Sequence, residues 1–178
     1  RRGIRTRMMD LQLRDLHERG EGIAALYAAE SIIYGRYGFG VGTIEQTLTF
    51  DRRHAAFTSP FEQRGQVRFV EPDEMRETFP DIQRRALKDR PGAIPTPGYE
   101  WDKSQRASTL KQGKEPWFNA VYEADGRADG SVQYRNDTWG EHLISVGELM
   151  SVTDEAYTAL WKFVFGIDLI STIKAPQR

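Results

Sequence analysis

Hydrophobic and polar positions along this chain follow two periods, and the switches between them mark out its elements. Over residues 4–19 the apolar positions Ile4, Met8 and Leu11, together with Met9, Leu13 and Leu16, fall at helical spacings and predict an amphipathic helix, which Gly20 stops. The run Ile23-Ala24-Ala25-Leu26-Tyr27-Ala28 follows a Gly-Glu-Gly turn, is apolar on both faces and is too short for a buried helix, so it reads as an interior strand with parallel pairing. Residues 30–37 can form two helical turns closed by Gly38, and the alternating stretch 43–50 reads as a further strand.

Residues 51–65 have no clear period and contain Pro60 and Gly65, which marks a connection between two units and sets a boundary between residues 64 and 65. After it, residues 67–70 read as a strand. Glu71-Pro72-Asp73-Glu74 is a helix-start signal leading into Met75, Phe79, Ile82 and Leu87, with Pro80 as an interruption. The segment 91–97 is rich in Pro and Gly and is expected to be irregular. Residues 117–122 and 131–135 alternate as two strands of a hairpin joined across Asp125-Gly126 and Asp129-Gly130. Residues 142–150 then read as a strand, Thr153 as the cap of a helix to about residue 165, and residues 169–174 as a last strand. The mixture predicts an α/β chain.

Composition narrows the class. With 178 residues, 39% hydrophobic and 29% charged, the chain is an ordinary globular sequence, long enough to bury roughly 70% of its unfolded surface. No apolar run approaches the ~18 residues of a membrane span, so no membrane insertion is expected. Basic side chains (25) and acidic ones (26) balance to a net charge of -1, which leaves no global field to draw nucleic acid. The absence of cysteine removes disulfides, thiolate nucleophiles and Cys-based metal sites, and fits a cytoplasmic, reducing compartment. His17, His54 and His142 share no metal spacing, so no metal is expected. The sequence opens Arg1-Arg2-Gly3, with neither an initiator methionine nor a signal-peptide pattern, and reads as an internal fragment.

The opening segment carries the first candidate chemistry. Arg1, Arg2 and Gly3 precede the helix that begins at Ile4, Arg5 and Thr6, so guanidinium groups, unbonded N–H groups of the first turn and the helix dipole can all address one anion, a phosphate or pyrophosphate. A solvated basic helix start is the plainer alternative. Gly3 would let a ligand approach the backbone closely.

The stretch Ala28-Ala29-Glu30-Ser31-Ile32-Ile33-Tyr34-Gly35-Arg36-Tyr37-Gly38-Phe39 resembles the segment of GCN5-related N-acetyltransferases (GNAT) that reads small residue, aliphatic, Tyr, polar residues, Gly-Phe. Together with Arg1-Arg2-Gly3-Ile4, Met8-Met9, Asp51-Arg52-Arg53, Glu148-Leu149 and Ala159-Leu160-Trp161, it makes most of the chain similar to the Eis-like (enhanced intracellular survival) acetyltransferases, with the weakest stretch at 84–115. The resemblance implies a GNAT fold, with the C-terminal half of one lobe at 1–64 and most of a second lobe at 65–178. It also implies an acetyl-CoA-dependent transfer of acetyl to primary amines, of aminoglycosides or lysine side chains, within a hexamer. Tyr34 would be the catalytic residue, protonating the departing CoA thiolate; the alternative for it is a half-buried packing tyrosine. The residues Arg1, Arg2, Gly3, Ile4, Arg5 and Thr6 would hold the pyrophosphate, and Ala29 and Glu30 would border the pantetheine and thiol.

Two positions depart from the family pattern: Arg5 stands where a small residue is usual, and Ala29 where a serine is. The second lobe offers Ser151-Val152-Thr153-Asp154-Glu155-Ala156 at the corresponding helix start, with no Arg or Gly and two carboxylates that would repel a pyrophosphate, so it is expected not to bind CoA. Trp101, Trp117, Trp139 and Trp161 read as core or interface residues, Asp125 and Asp129 as turn residues rather than calcium ligands, and Arg52-Arg53-His54 as a solvated turn. A non-catalytic GNAT-like scaffold that binds a ligand or partner is the competing function.

Overall fold

The computed structural model describes residues 3–44, 46–93, 95–98, 116–137, 140 and 142–177. It divides into two compact units, 1–45 and 46–178. The division falls within the alternating stretch 43–50 that the pattern assigns to the first lobe.

The first unit contains helix α1 (Ile4–Glu18) and a short helix α2 (Ser31–Tyr34) continued by a 3-10 turn, Gly35–Tyr37. Helix α1 ends as its pattern predicts: the N–H groups of Arg19 and Gly20 return to the carbonyls of Asp15 and His17. Of its two apolar rows, Met9 is buried and Leu13 and Leu16 are half-buried, whereas Ile4, Met8 and Leu11 lie exposed. The expected interior strand at 23–28 is a correction. These residues join no ladder among the described residues, and Ile23 and Tyr27 are 88% and 98% exposed. A strand is stable only with a neighbour to satisfy its N–H and C=O groups, and apolar composition does not provide one.

Among its described residues, the second unit holds one six-stranded sheet. Its strands are β1 (Gln46–Asp51), β2 (Gln66–Phe69), β3 (Phe118–Ala124), β4 (Arg127–Asp137), β5 (Leu143–Ser151) and β6 (Thr172–Gln177), in the spatial order β1-β6-β5-β4-β3-β2. All neighbours are antiparallel except β5 and β6. Their parallel ladder spans only Leu143–Ser145 against Thr172–Lys174, after which β5 stays with β4 and β6 with β1, so the pair forks. The hairpin between β3 and β4 turns on Asp125-Gly126, both with positive φ, as a tight two-residue loop requires, and Asp129-Gly130 lie inside β4.

Helix α3 (Pro72–Leu87) and helix α4 (Asp154–Phe165) cover opposite faces of the sheet. Against α4 lie Ala120, Tyr122, Val132, Tyr134, Ile144, Val146 and Ile173, which meet Ala156, Leu160 and Val164. Against α3, Val121 and Val70 meet Met75, Phe79 and Ile82. The pattern expects Pro80 to interrupt α3, but the helix runs through it. An internal proline costs about 3 kcal/mol, and burial of Met75, Phe79 and Ile82 on both sides of it returns roughly 1.5–3 kcal/mol for each side chain. Tertiary packing outweighs the local penalty. Among the described residues, no helix is long and apolar enough to cross a membrane.

Because β1 and β2 are the two edges of the sheet, the connection 52–65 must cross its whole width, and it does so along α4. At one end of the helix, Arg52 Nε donates to the Phe165 carbonyl at 3.0 Å, where the helix dipole favours a cation. In the middle, the Phe57 ring meets Phe61 and Phe165, and Lys162 Nζ lies 5.3 Å from the Phe61 ring centroid. At the other end, Glu155 accepts from the Arg64 N–H at 2.7 Å, from the Arg64 guanidinium at 2.7 and 3.0 Å, and from the Tyr122 hydroxyl. The Tyr122 hydroxyl also accepts from the Gly65 N–H at 3.0 Å. Gly65 is there because a Cβ would stand 2.2 Å from the Glu123 carbonyl oxygen.

The hydrogen bonds from Tyr122 and Arg64 hold the Glu155 carboxyl at about 2, well below its ordinary 4.5. A depressed carboxyl stabilises the fold above its unfolded value and loses that contribution as pH falls from 4.5 towards 2. Urea midpoints measured at stepped pH should therefore show Glu155→Gln less stable than the native protein at neutral pH, with the gap closing below pH 4. A gap independent of pH contradicts the assignment.

Candidate active site

Gly3 sits at the N-cap of α1 with φ of +64°, the left-handed region that side chains disfavour, and a Cβ built there would meet nothing within 4 Å. The backbone conformation thus explains the glycine, and the space in front of it stays open. The N–H of Arg7 returns to the Gly3 carbonyl at 3.1 Å as the first helical bond, which leaves the groups of Ile4, Arg5 and Thr6 without a helical acceptor. No acidic residue lies in this first turn and no side chain caps it. Arg1 and Arg2 lie outside the described residues.

Ala29 and Glu30 form the bend that enters α2, with Glu30 at its N-cap and its carbonyl accepting from the Ile33 N–H at 3.2 Å. Tyr34 is the last residue of α2 and is half-buried; its ring meets Phe39 edge-on, with centroids 6.2 Å apart. The turn after it is closed by Gly38 N–H to the Gly35 carbonyl at 3.1 Å and by Phe39 N–H to the Tyr34 carbonyl at 3.4 Å. Thr6 Oγ1 lies 3.2 Å from the Tyr37 hydroxyl, so the first turn of α1 and the turn bearing Tyr34 are bonded to each other within one unit. The sequence gives Tyr37 no role of its own; it stands one turn beyond Tyr34 within the same stretch.

The second unit treats its corresponding helix start differently. Thr153 Oγ1 accepts from the Ala156 N–H at 3.1 Å, Asp154 and Glu155 occupy the first turn, and Glu155 is committed to Arg64 and Tyr122. The other candidates have structural partners. Arg85 pairs with Asp129, Arg53 with Asp51 at 2.7 Å, and His142 Nδ1 lies 3.1 Å from the Leu169 carbonyl. Trp161 is buried against Phe50, with its indole N–H lacking an acceptor, and Trp117 stacks beneath Arg135. Trp101 and Trp139 lie outside the described residues.

Known proteins are similar to both parts of the chain. Residues 1–42 match one acetyltransferase (GNAT) domain model and residues 92–178 match another, together well over half the chain. The N-acetyltransferase Eis of Mycobacterium tuberculosis is 35% identical over 184 residues, which cover 99% of this chain and 45% of that protein. The chain belongs to the acetyltransferase (GNAT) domain family. An uncharacterised N-acetyltransferase of Streptomyces avermitilis is 32% identical over 191 residues, covering all of this chain and 45% of its own length. The crystal structure of Eis1 from Mycobacterium abscessus superposes with a TM-score of 0.73 at 27% identity, over 98% of this chain and 44% of that one. The chain thus spans about 45% of the length of the relatives it matches, and it shares the GNAT fold.

The left-handed Gly3 should be exacting. Gly3→Ala forces a β-carbon into a conformation about 1–2 kcal/mol less favourable, so amide hydrogen exchange at Arg7, whose N–H bonds to the Gly3 carbonyl, should quicken about tenfold. Unchanged exchange contradicts the conformation.

Proposed function

We propose that this chain binds acetyl-CoA through its first unit and takes part in transfer of the acetyl group to a primary amine, with Tyr34 as the proton donor. The observation that carries the reading is the pairing of an open helix start with Tyr34 in one compact unit. The residues fit the co-substrate. Phosphate oxygens are matched by the free N–H groups of Ile4, Arg5 and Thr6, by the positive end of α1 and by the uncrowded Gly3 backbone. Ala29 and Glu30, at the bend before α2, border the pantetheine and thiol. The co-substrate supplies an acetyl group activated as a thioester.

The amine nitrogen forms a bond to the acetyl carbonyl carbon, the carbon–sulfur bond breaks, and the electron pair leaves with sulfur. The Tyr34 hydroxyl gives its proton to that sulfur and is reprotonated from solvent, while the amine surrenders a proton to a base. A proton delivered as the thiolate departs contributes about 10²–10⁴-fold in such reactions. The acceptor class, an aminoglycoside-like or lysine amine, and assembly as a homohexamer follow from kinship with the Eis-like acetyltransferases. The second unit is read as architectural: the carboxylates of Asp154 and Glu155 stand where a pyrophosphate would need positive potential.

In the complete protein, Tyr34→Phe should lower kcat by about 100-fold or more while leaving the acetyl-CoA Kd within about threefold, because the proton is needed in the transition state alone. Steady-state kinetics paired with calorimetric titration separates the alternatives. Unchanged kcat removes Tyr34 from the mechanism, and no detectable acetyl-CoA binding favours a non-catalytic scaffold.

A further inference from the structure

We infer that Tyr37 is a positioning residue for proton transfer at Tyr34, acting through its hydrogen bond to Thr6; the inference rests on the function proposed above. Thr6 is the third residue of α1, in the turn whose N–H groups are left free for phosphate, and Tyr37 closes the 3-10 turn that follows Tyr34. Among the described residues, Thr6 Oγ1 to Tyr37 OH, at 3.2 Å, is the hydrogen bond that joins α1 to this turn. The remaining bonds of the turn, from Gly38 to Gly35 and from Phe39 to Tyr34, are internal to it, as is the edge contact of the Phe39 ring with Tyr34. They fix the shape of the turn and leave its distance from the helix end unset. The hydroxyl pair sets that distance.

The distance matters because the two ends of one co-substrate are held by different elements, its phosphates by α1 and its sulfur by reach of Tyr34. An acid on a turn that drifts by about 1 Å relative to the bound thioester can lose up to ~10²-fold in rate. The same bond is exposed and joins two neutral groups, so it adds little to folding. Removing it should therefore slow chemistry without unfolding the protein or weakening phosphate binding, a signature that a packing role does not produce.

Four variants of the complete protein, set beside Tyr34→Phe, decide the matter, assayed by thiol release from acetyl-CoA with an aminoglycoside and with a lysine peptide as acceptors. Tyr37→Phe and Thr6→Val should each lower kcat by about tenfold, with KM for acetyl-CoA within about twofold and an unaltered thermal midpoint. The double variant should be no slower than either single one, since both remove the same bond. Thr6→Ser keeps the hydroxyl and should restore most of the rate. If Tyr34→Phe slows the enzyme while Tyr37→Phe and Thr6→Val leave kcat untouched, or if their effects multiply, the positioning role is overturned and the function stands. If the native protein transfers no acetyl group, or Tyr34→Phe changes nothing, the function proposal falls and takes this inference with it.

Discussion

Every α-helix begins with backbone N–H groups that its own carbonyls cannot reach, and the two units of this chain dispose of them in opposite ways. At α1 they are left open: a left-handed Gly3 stands at the cap, no side chain closes the turn and no carboxylate lies in it. At α4 Thr153 caps one of them, and two carboxylates take up the favourable dipole end. The first arrangement leaves the positive potential to a ligand. The second spends it on the fold. The proposed assignment of acetyl-CoA to one unit rests on this difference, and the role proposed for Tyr34 rests on its turn being bonded to the open end.

The closed helix start has its own structural purpose. Glu155 anchors the far end of the connection 52–65, whose near end is held by Arg52 at the last carbonyls of the same helix. That connection carries the chain from β1, the edge strand beside β6, to β2 at the opposite edge.

Much of this was legible in the sequence where local chemistry decides. The helical spacing of Ile4 to Leu16, the Thr153 cap and the Asp125-Gly126 turn each act within a few residues, and each forms as its pattern requires. What depends on distant partners was not. The run at 23–28 has strand composition but no ladder among the described residues, and Pro80 looks like a helix breaker until Met75, Phe79 and Ile82 are seen buried around it. The pairing of β1 with β6 joins residues more than a hundred apart, so an unpatterned connection alone could not reveal which unit the strand would enter. Of the site, Gly3 and Tyr34 were marked by motif. The Thr6–Tyr37 bond spans 31 residues between two side chains that have no periodicity to announce them.

One helix start of the two, that of α1, is proposed to be an acetyl-CoA site. The number of acetyl-CoA molecules bound per chain of the complete protein, measured by isothermal titration, tests it directly. The account predicts one, abolished by reversing the charge of Arg5 and retained when Glu155 is replaced. Two sites per chain, or binding that survives at the first helix start's expense and vanishes with changes at the second, would contradict it.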